Sequence, residues 1–134
     1  MSACEKVRPF FERAAVVHVA TLLPDGAPHS VPVWVGVEGE QLAVFMIEGS
    51  RKDRNLQGDP RIALSVTRPD EPFDMATVRG TVATRLTGEA AMRVVDRIAV
   101  AYTGAAYEQR TGLVAYLIEP TAAWAHDYSS DPAA

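Results

Sequence analysis

The chain has 134 residues, of which 48% are hydrophobic, and this length predicts one domain with a real core. Its net charge of −4 argues against non-specific nucleic-acid binding, and its single cysteine, Cys4, allows neither an internal disulfide nor a cysteine-based zinc site. No apolar run approaches the roughly 18 residues of a membrane span, and the first residues lack a signal peptide's apolar segment, so we expect a cytoplasmic protein that does not bind membranes.

The first third of the chain has the pattern of a helix followed by antiparallel strands. The spacing of its apolar residues predicts a short amphipathic helix over 3–14. Two turn sequences, Pro24-Asp25-Gly26 and Glu38-Gly39-Glu40, separate three runs of strand character at 16–23, 28–37 and 41–47. Two consecutive tight hairpins predict a meander in which the second strand pairs with both neighbours.

The remainder predicts three or four more strands and another helix. We expect strands at 61–67, 73–86, 113–119 and 122–126, with a proline-containing loop at 68–72 and a break at Pro120. Gly80 is expected at a bulge or close approach. A helix is predicted from Thr87 to about Tyr102, while 107–111 fit neither pattern. We expect one domain over 1–128 and a short disordered tail over 129–134.

Six or seven antiparallel strands with two or three helices in one short chain predict a mainly β fold. The sequence has no internal repeat and no linker. A small closed or split β-barrel with flanking helices is the architecture that satisfies this pattern.

A segment between two predicted strands carries a net positive charge, whereas the net charge of the whole chain is negative. Gly49 to Arg61 contains four cations against two carboxylates in thirteen residues. Ser50 is a good N-cap, and the next seven residues contain no helix breaker. Arg51 and Lys52, the free N–H groups and the helix dipole together favour a bound anion, in particular a phosphate. The alternative is a solvated helix face whose two aspartates partly neutralise the cations.

No catalytic or metal-ligating constellation is evident. The three histidines are scattered without ligand spacing, which argues against metal catalysis. His18 alternates with valines on a strand, which indicates a structural residue. His29 is the better candidate for a residue of the groove. A metal site at His126 would need a third ligand that the sequence does not indicate. Trp34 and Trp124 are most simply core or interface aromatics, with stacking against a ligand as the alternative.

Several of these segments resemble the pyridoxamine 5′-phosphate oxidase-like (FMN-binding split-barrel) superfamily. They are Ala-Thr-Leu, Pro-Asp-Gly, His-Ser-Val-Pro-Val-Trp, Ser-Arg-Lys-Asp-Arg-Asn-Leu, Asp-Pro-Arg-Ile-Ala-Leu-Ser-Val and Val-Arg-Gly-Thr-Val. The short actinobacterial branch that binds the deazaflavin F420 is the most similar. The resemblance covers roughly residues 10–126 and is most specific at 19–66. It implies a six- to seven-stranded split barrel that forms a homodimer, with a flavin or deazaflavin in a groove at the dimer interface.

The resemblance also implies which residues contact the cofactor. Residues that match the phosphate-binding segment are Ser50, Arg51, Lys52 and Asn55, together with Arg54, which could instead face solvent or pair with Asp53. The segment that lies along the ring is matched by Val31, Pro32 and Val33, whose apolar side chains leave backbone groups as the donors. Further candidates for the groove are Met46 to Glu48, Arg79 and Gly80.

The resemblance implies an F420-dependent oxidoreductase that transfers a hydride between the cofactor and a small, conjugated organic substrate. The cofactor would carry the chemistry, so no catalytic residue is assigned. Two alternatives remain open. One is an FMN-dependent oxidase or reductase of the same group, because both cofactors present a phosphate to the basic helix. The other is a non-enzymatic protein that binds the cofactor or a tetrapyrrole.

Overall fold

Seven antiparallel strands form one sheet in the computed structural model, which describes residues 1–129. The strands are β1 (Val17–Leu22), β2 (Pro28–Val33), β3 (Val35–Glu38), β4 (Gln41–Ile47), β5 (Arg61–Arg68), β6 (Glu71–Leu86) and β7 (Leu113–Asp127). The helices are α1 (Ala3–Phe11), α2 (Arg51–Gly58) and α3 (Gly88–Thr103). The mainly β class with flanking helices is confirmed. The predicted tail lies outside the described residues except for Ser129. Among the described helices, none is both long and apolar enough to span a membrane.

The order of the strands shows how the sheet closes on itself. The order is β2-β1-β5-β6-β7-β4-β3, so its two edge strands are consecutive in the chain and separated by Trp34 alone. This covalent link brings the two edges together and curls the sheet into a barrel. Both predicted hairpins are confirmed, because β2 pairs with β1 and β3 pairs with β4. The continuous meander is wrong, because the predicted strand 28–37 divides at Trp34 and its two halves lie at opposite edges of the sheet.

The predicted strand 28–37 divides at Trp34 because of the hydrogen bonds and ring contacts around this residue. The backbone N–H of Val35 donates to the Tyr102 hydroxyl at 3.2 Å, and that hydroxyl donates to the carbonyl of Ala15 at 2.6 Å. The Trp34 ring stacks on Tyr102 with 4.9 Å between centroids. A side chain of α3 therefore holds the chain at the point where the predicted strand 28–37 divides.

Prolines interrupt the strands less than the sequence suggested. The predicted loop at 68–72 is a tight turn at Pro69 and Asp70, and β7 runs through Pro120 without a break. The β6–β7 register shifts at this point: Gly80 pairs with Pro120, but Arg79 pairs with Ala122. A proline is tolerated at such a bulge because it is not required to donate a ladder hydrogen bond.

Gly80 lies at the same irregularity, and the close approach predicted for it is confirmed. A Cβ atom built on Gly80 would lie 2.6 Å from the carbonyl oxygen of Glu119 and 3.0 Å from a side-chain carbon of Ile118. The absence of a side chain is therefore needed for β6 to pack against β7 at the bulge.

The core consists of two clusters on either side of the sheet. The larger fills the barrel and is covered by α1, whose Val7, Phe10 and Phe11 are buried. Cys4 belongs to this cluster, with 2% of its surface exposed, so it is a packing residue. The smaller cluster lies beneath α3. Pro9 lies within α1, which ends at Phe11 and is shorter than predicted.

Gly80→Ala is expected to lower the free energy of unfolding by about 1–3 kcal/mol, because the added methyl overlaps a fixed backbone oxygen. Gly58→Ala is the matched control, since a Cβ there meets nothing within 4 Å. The control should leave stability unchanged or raise it by up to about 1 kcal/mol. Urea unfolding of both variants measures the difference, and equal midpoints would contradict the packing described for β6 and β7.

Candidate anion and cofactor site

The basic helix begins shortly after β4, and the three residues 48–50 between them form a turn that fixes its direction. Gly49 has φ of +80°, a left-handed conformation that favours glycine. Ser50 is the N-cap, and its hydroxyl accepts a hydrogen bond from the backbone N–H of Asp53 at 3.4 Å. The predicted helix is confirmed, with bounds that differ by one residue.

Asp53 faces into the protein rather than along the helix surface. Its carboxylate is 1% exposed and accepts hydrogen bonds from the Gly49 backbone N–H at 2.8 Å and the Tyr116 hydroxyl at 2.5 Å. The Arg85 guanidinium donates two more, at 3.0 Å from Nε and 2.9 Å from Nη2. The ion-pair partner of Asp53 is therefore Arg85 on β6, not the neighbouring Arg54.

These contacts decide the charges at neutral pH. Burial alone would raise the pKa of Asp53, but the hydrogen bonds from Arg85, Tyr116 and Gly49 outweigh it and hold that pKa below its usual value. Burial and the adjacent Asp53 carboxylate raise the pKa of Tyr116 to about 12. The pKa of Arg85 is raised by its bonds to Asp53. The cluster is thus a charged Asp53–Arg85 pair with a neutral tyrosine.

The cations of α2 are left without a carboxylate partner as a consequence. Arg51 and Lys52 are half-buried and Arg54 is exposed, and none of the three forms an ion pair with a carboxylate within residues 1–129. The Nε atom of Arg51 is buried and has no hydrogen-bond partner. A buried donor without an acceptor is costly, and a bound anion would satisfy it.

Two more buried polar atoms without partners lie beside the inner face of α2. Asn55, one turn after Arg51, is 3% exposed; its amide donates to the Thr21 hydroxyl at 3.0 Å, while its Oδ1 atom has no partner. His29 is paired with Thr21 across β1 and β2, so both side chains project to the same face, and its Nδ1 atom also lacks a partner. Asn55 ties α2 to the barrel, and the polar end of a ligand would fit this cluster.

The segment predicted to lie along the ring borders an opening in the barrel. Pairing of β3 with β4 ends at Val35 and Val44, so residues 45–47 of β4 have a strand partner on one side alone. β2 likewise pairs with β1 alone. Side chains from both free edges line a cavity of about 290 Å³, namely Pro32 and Val33 with Phe45, together with Val16, Trp34 and Tyr107.

This split therefore has an apolar end and a polar end. From Val33, β2 continues through Val31 to His29, which spans about 13 Å at the rise of a strand. The apolar end is lined by aromatic rings, and the polar end lies next to α2. Met46 is 6% exposed and its side chain belongs to the core, so its backbone edge is the part that faces the split.

Arg79 and Gly80 lie elsewhere, on a cavity of about 530 Å³. Small side chains from three strands, Ala20, Ala63 and Ala122, line it together with Arg61. Arg79 is exposed and forms no ion pair with any described carboxylate. Within one chain, the structure thus places the predicted site residues in two regions, the split beside α2 and this outer groove.

Sequence reasoning missed the residues that hold α2 in place. Arg85 and Tyr116 lie 32 and 63 positions after Asp53, and no local pattern connects the three. One signal in the sequence indicated that such partners exist. An aspartate among the cations of a phosphate-binding segment requires a partner elsewhere, because an unpaired carboxylate would repel the anion.

Comparisons with known proteins show the family and the fold of the chain. A family model described as pyridoxamine 5′-phosphate oxidase matches residues 4–127. A search of curated protein sequences found no match. A solved structure named F420 reductase has a TM-score of 0.77 and 28% identity, covering 87% of this chain and 94% of the other.

Two mycobacterial structures are more distant and show the fold alone. A conserved hypothetical protein from Mycobacterium tuberculosis has a TM-score of 0.73 and 23% identity, covering 96% of this chain and 86% of the other. A heme binding protein from Mycobacterium smegmatis has a TM-score of 0.74 and 20% identity, covering 97% of this chain and 56% of the other. Proteins with different named ligands therefore share this barrel.

The lowered pKa of Asp53 predicts a specific dependence of stability on pH. The stabilisation is present above the unfolded-state pKa, near 4, and is lost as the pH falls through the lower folded-state pKa. Asp53→Asn should therefore flatten the loss of unfolding free energy between about pH 5 and pH 2. Asp70→Asn, at an exposed turn, is the control and should retain the wild-type slope. Urea unfolding across this range measures it, and identical slopes for wild type and Asp53→Asn would contradict the assignment.

Proposed function

The chain belongs to the pyridoxamine 5′-phosphate oxidase family, and from this premise we propose that it is an F420-dependent oxidoreductase. It would transfer a hydride between the deazaflavin and a small, conjugated organic substrate. The proposal depends above all on the first turn of α2, where Arg51 and Lys52 have no carboxylate partner because Asp53 is paired with Arg85.

Three features support a phosphate-bearing cofactor in the split. The Nε donor of Arg51 is buried without an acceptor, the N-terminus of α2 offers free N–H groups, and Lys52 adds a second cation. Strand β2 runs from His29, opposite the Thr21 that bonds to α2, to the apolar cavity at Pro32 and Val33. A ligand with a charged tail and an apolar ring would require this arrangement. The similarity to a protein named F420 reductase supports the deazaflavin as that ligand.

In this arrangement, the protein's own residues bind and orient the ligand. Ser50, Arg51 and Lys52 would hold the phosphate, and the free backbone edge of Val31 to Val33 would lie along the ring. Trp34, Phe45 and Tyr107 would exclude water at the apolar end. The deazaflavin supplies the hydride chemistry when bound, so no acid or base of the protein is assigned.

FMN is the second candidate, because it presents a phosphate to the same first turn and the family is described by a flavin-type oxidase. A non-enzymatic carrier of the cofactor or a tetrapyrrole is the third, since a protein of this fold from Mycobacterium smegmatis is named a heme binding protein. Purified protein that binds reduced F420 but does not transfer its hydride to any of a panel of conjugated acceptors would favour the carrier. We place this activity in the cytoplasm.

We also propose that the protein is a homodimer in which a second copy covers the outer face of the sheet. Phe73 and Trp124 are 52% and 47% exposed and project from the same face of β6 and β7. Arg79 and its groove lie further along that face, where a partner's site would bring them to the cofactor. Dimerisation would remove this apolar surface from water.

Light scattering at micromolar concentration should accordingly give about twice the chain mass of 14.5 kDa. Trp124→Glu should weaken the dimer, because it places a charge in the covered face. Val100→Glu is the control, since Val100 is 51% exposed on α3, away from this face. A folded wild-type monomer at this concentration would overturn the dimer, whatever the cofactor is.

Lys52→Ala tests the phosphate site directly. Loss of one charge-assisted hydrogen bond should weaken cofactor binding by roughly 10- to 150-fold, equivalent to about 1.5–3 kcal/mol. Lys6→Ala removes an exposed lysine from α1 and should leave the dissociation constant unchanged. Fluorescence titration with F420 and FMN measures both variants, and raising the salt concentration should weaken wild-type binding. Equal affinity of folded wild type and Lys52→Ala would refute the phosphate site.

A further inference from the structure

The buried cluster of Asp53, Arg85 and Tyr116 joins α2 to two strands of the barrel. Arg85 and Tyr116 are paired residues of β6 and β7, and both bond to the same carboxylate oxygen of Asp53, at 3.0 Å and 2.5 Å. The other carboxylate oxygen accepts from the backbone N–H of Gly49, just before the helix. The cluster therefore fixes both the turn into α2 and the first turn itself.

The same cluster also sets the charge that α2 presents to a ligand. Asp53 is the acidic residue of the first turn, next to Lys52 and two residues from Arg51. Were its carboxylate turned toward solvent, it would oppose an anion at this site. The bidentate bond to Arg85 holds it on the opposite, inner side. Glu48, which directly follows β4, is exposed and lies 3.9 Å from Arg85.

We propose that Asp53, Arg85 and Tyr116 are positioning residues of the anion site: they orient the first turn of α2 and keep its carboxylate away from the bound phosphate. None of the three touches the ligand. The inference rests on the proposed function in one respect, that the anion is the phosphate of a cofactor.

Asp53→Asn distinguishes positioning from charge. The substitution removes a negative charge beside Arg51 and Lys52, so electrostatics alone would tighten anion binding. It also breaks the bidentate ion pair, so a loss of positioning would weaken binding. We expect F420 and FMN to bind at least tenfold more weakly, with a smaller loss for Tyr116→Phe, which removes one hydrogen bond and keeps the ion pair.

Arg85→Lys tests the geometry of the ion pair, and Asp96→Asn is the control. Lysine keeps the charge at position 85 but cannot reproduce the bidentate bond, so affinity should lie between those of wild type and Asp53→Asn. Asp96→Asn breaks a comparable pair, with Arg110 at 2.7 Å, beside α3 and away from α2. It should leave both dissociation constants unchanged.

Amide hydrogen exchange of the apo-protein gives a readout that does not depend on any ligand. In Tyr116→Phe and Asp53→Asn, the hydrogen-bonded amides of Gly49, position 53 and Arg54 should exchange at least tenfold faster, while those of β5 should not change. Wild-type exchange rates in Tyr116→Phe, or tighter cofactor binding by folded Asp53→Asn, would overturn the proposal. Failure of wild type to bind either cofactor would refute the proposed function instead, and the exchange rates would still decide whether the cluster positions α2.

Discussion

The buried ion pair between Asp53 and Arg85 is the constraint on which the site depends. A carboxylate with 1% exposure is tolerated because four hydrogen bonds reach it, and removal of one partner from such a pair costs about 3–5 kcal/mol. The pair anchors a helix of only eight residues, which would be marginal in isolation. It also leaves the cations of that helix without a counter-charge. The same ion pair thus stabilises α2 and determines the charge that this helix presents.

A second constraint shapes the split between β2 and β4. The chain passes from β2 to β3 through Trp34, where the Tyr102 hydroxyl takes the backbone N–H of Val35. Since β2 and β3 then pair with different strands, the edge of β2 stays free opposite the end of β4. Continuous pairing over 28–37 would have closed this edge. The opening in the barrel therefore follows from one side-chain-to-backbone hydrogen bond and one aromatic stack.

The sequence predicted what local patterns encode: the fold class, the basic helix with its Ser50 cap, and the close approach at Gly80. It failed where distant contacts override local signals. Pro120 looked like a strand break, but a bulge opposite Gly80 accommodates it. The 28–37 segment looked like one strand, because Tyr102 lies 67 positions after Val35. For the same reason, Asp53 could be seen in the sequence but its partners Arg85 and Tyr116 could not.

Titration of the purified apo-protein with F420 and with FMN, under identical salt and pH, is the most direct test of the phosphate site. We expect saturable binding of both phosphate-bearing cofactors, with the lower dissociation constant for F420. Tighter binding of FMN would keep the phosphate site and change the cofactor. If folded protein binds neither cofactor saturably, the phosphate site is refuted. The cations of α2, which have no carboxylate partner, and the apolar split beside them would then have no ligand of the kind that this geometry fits.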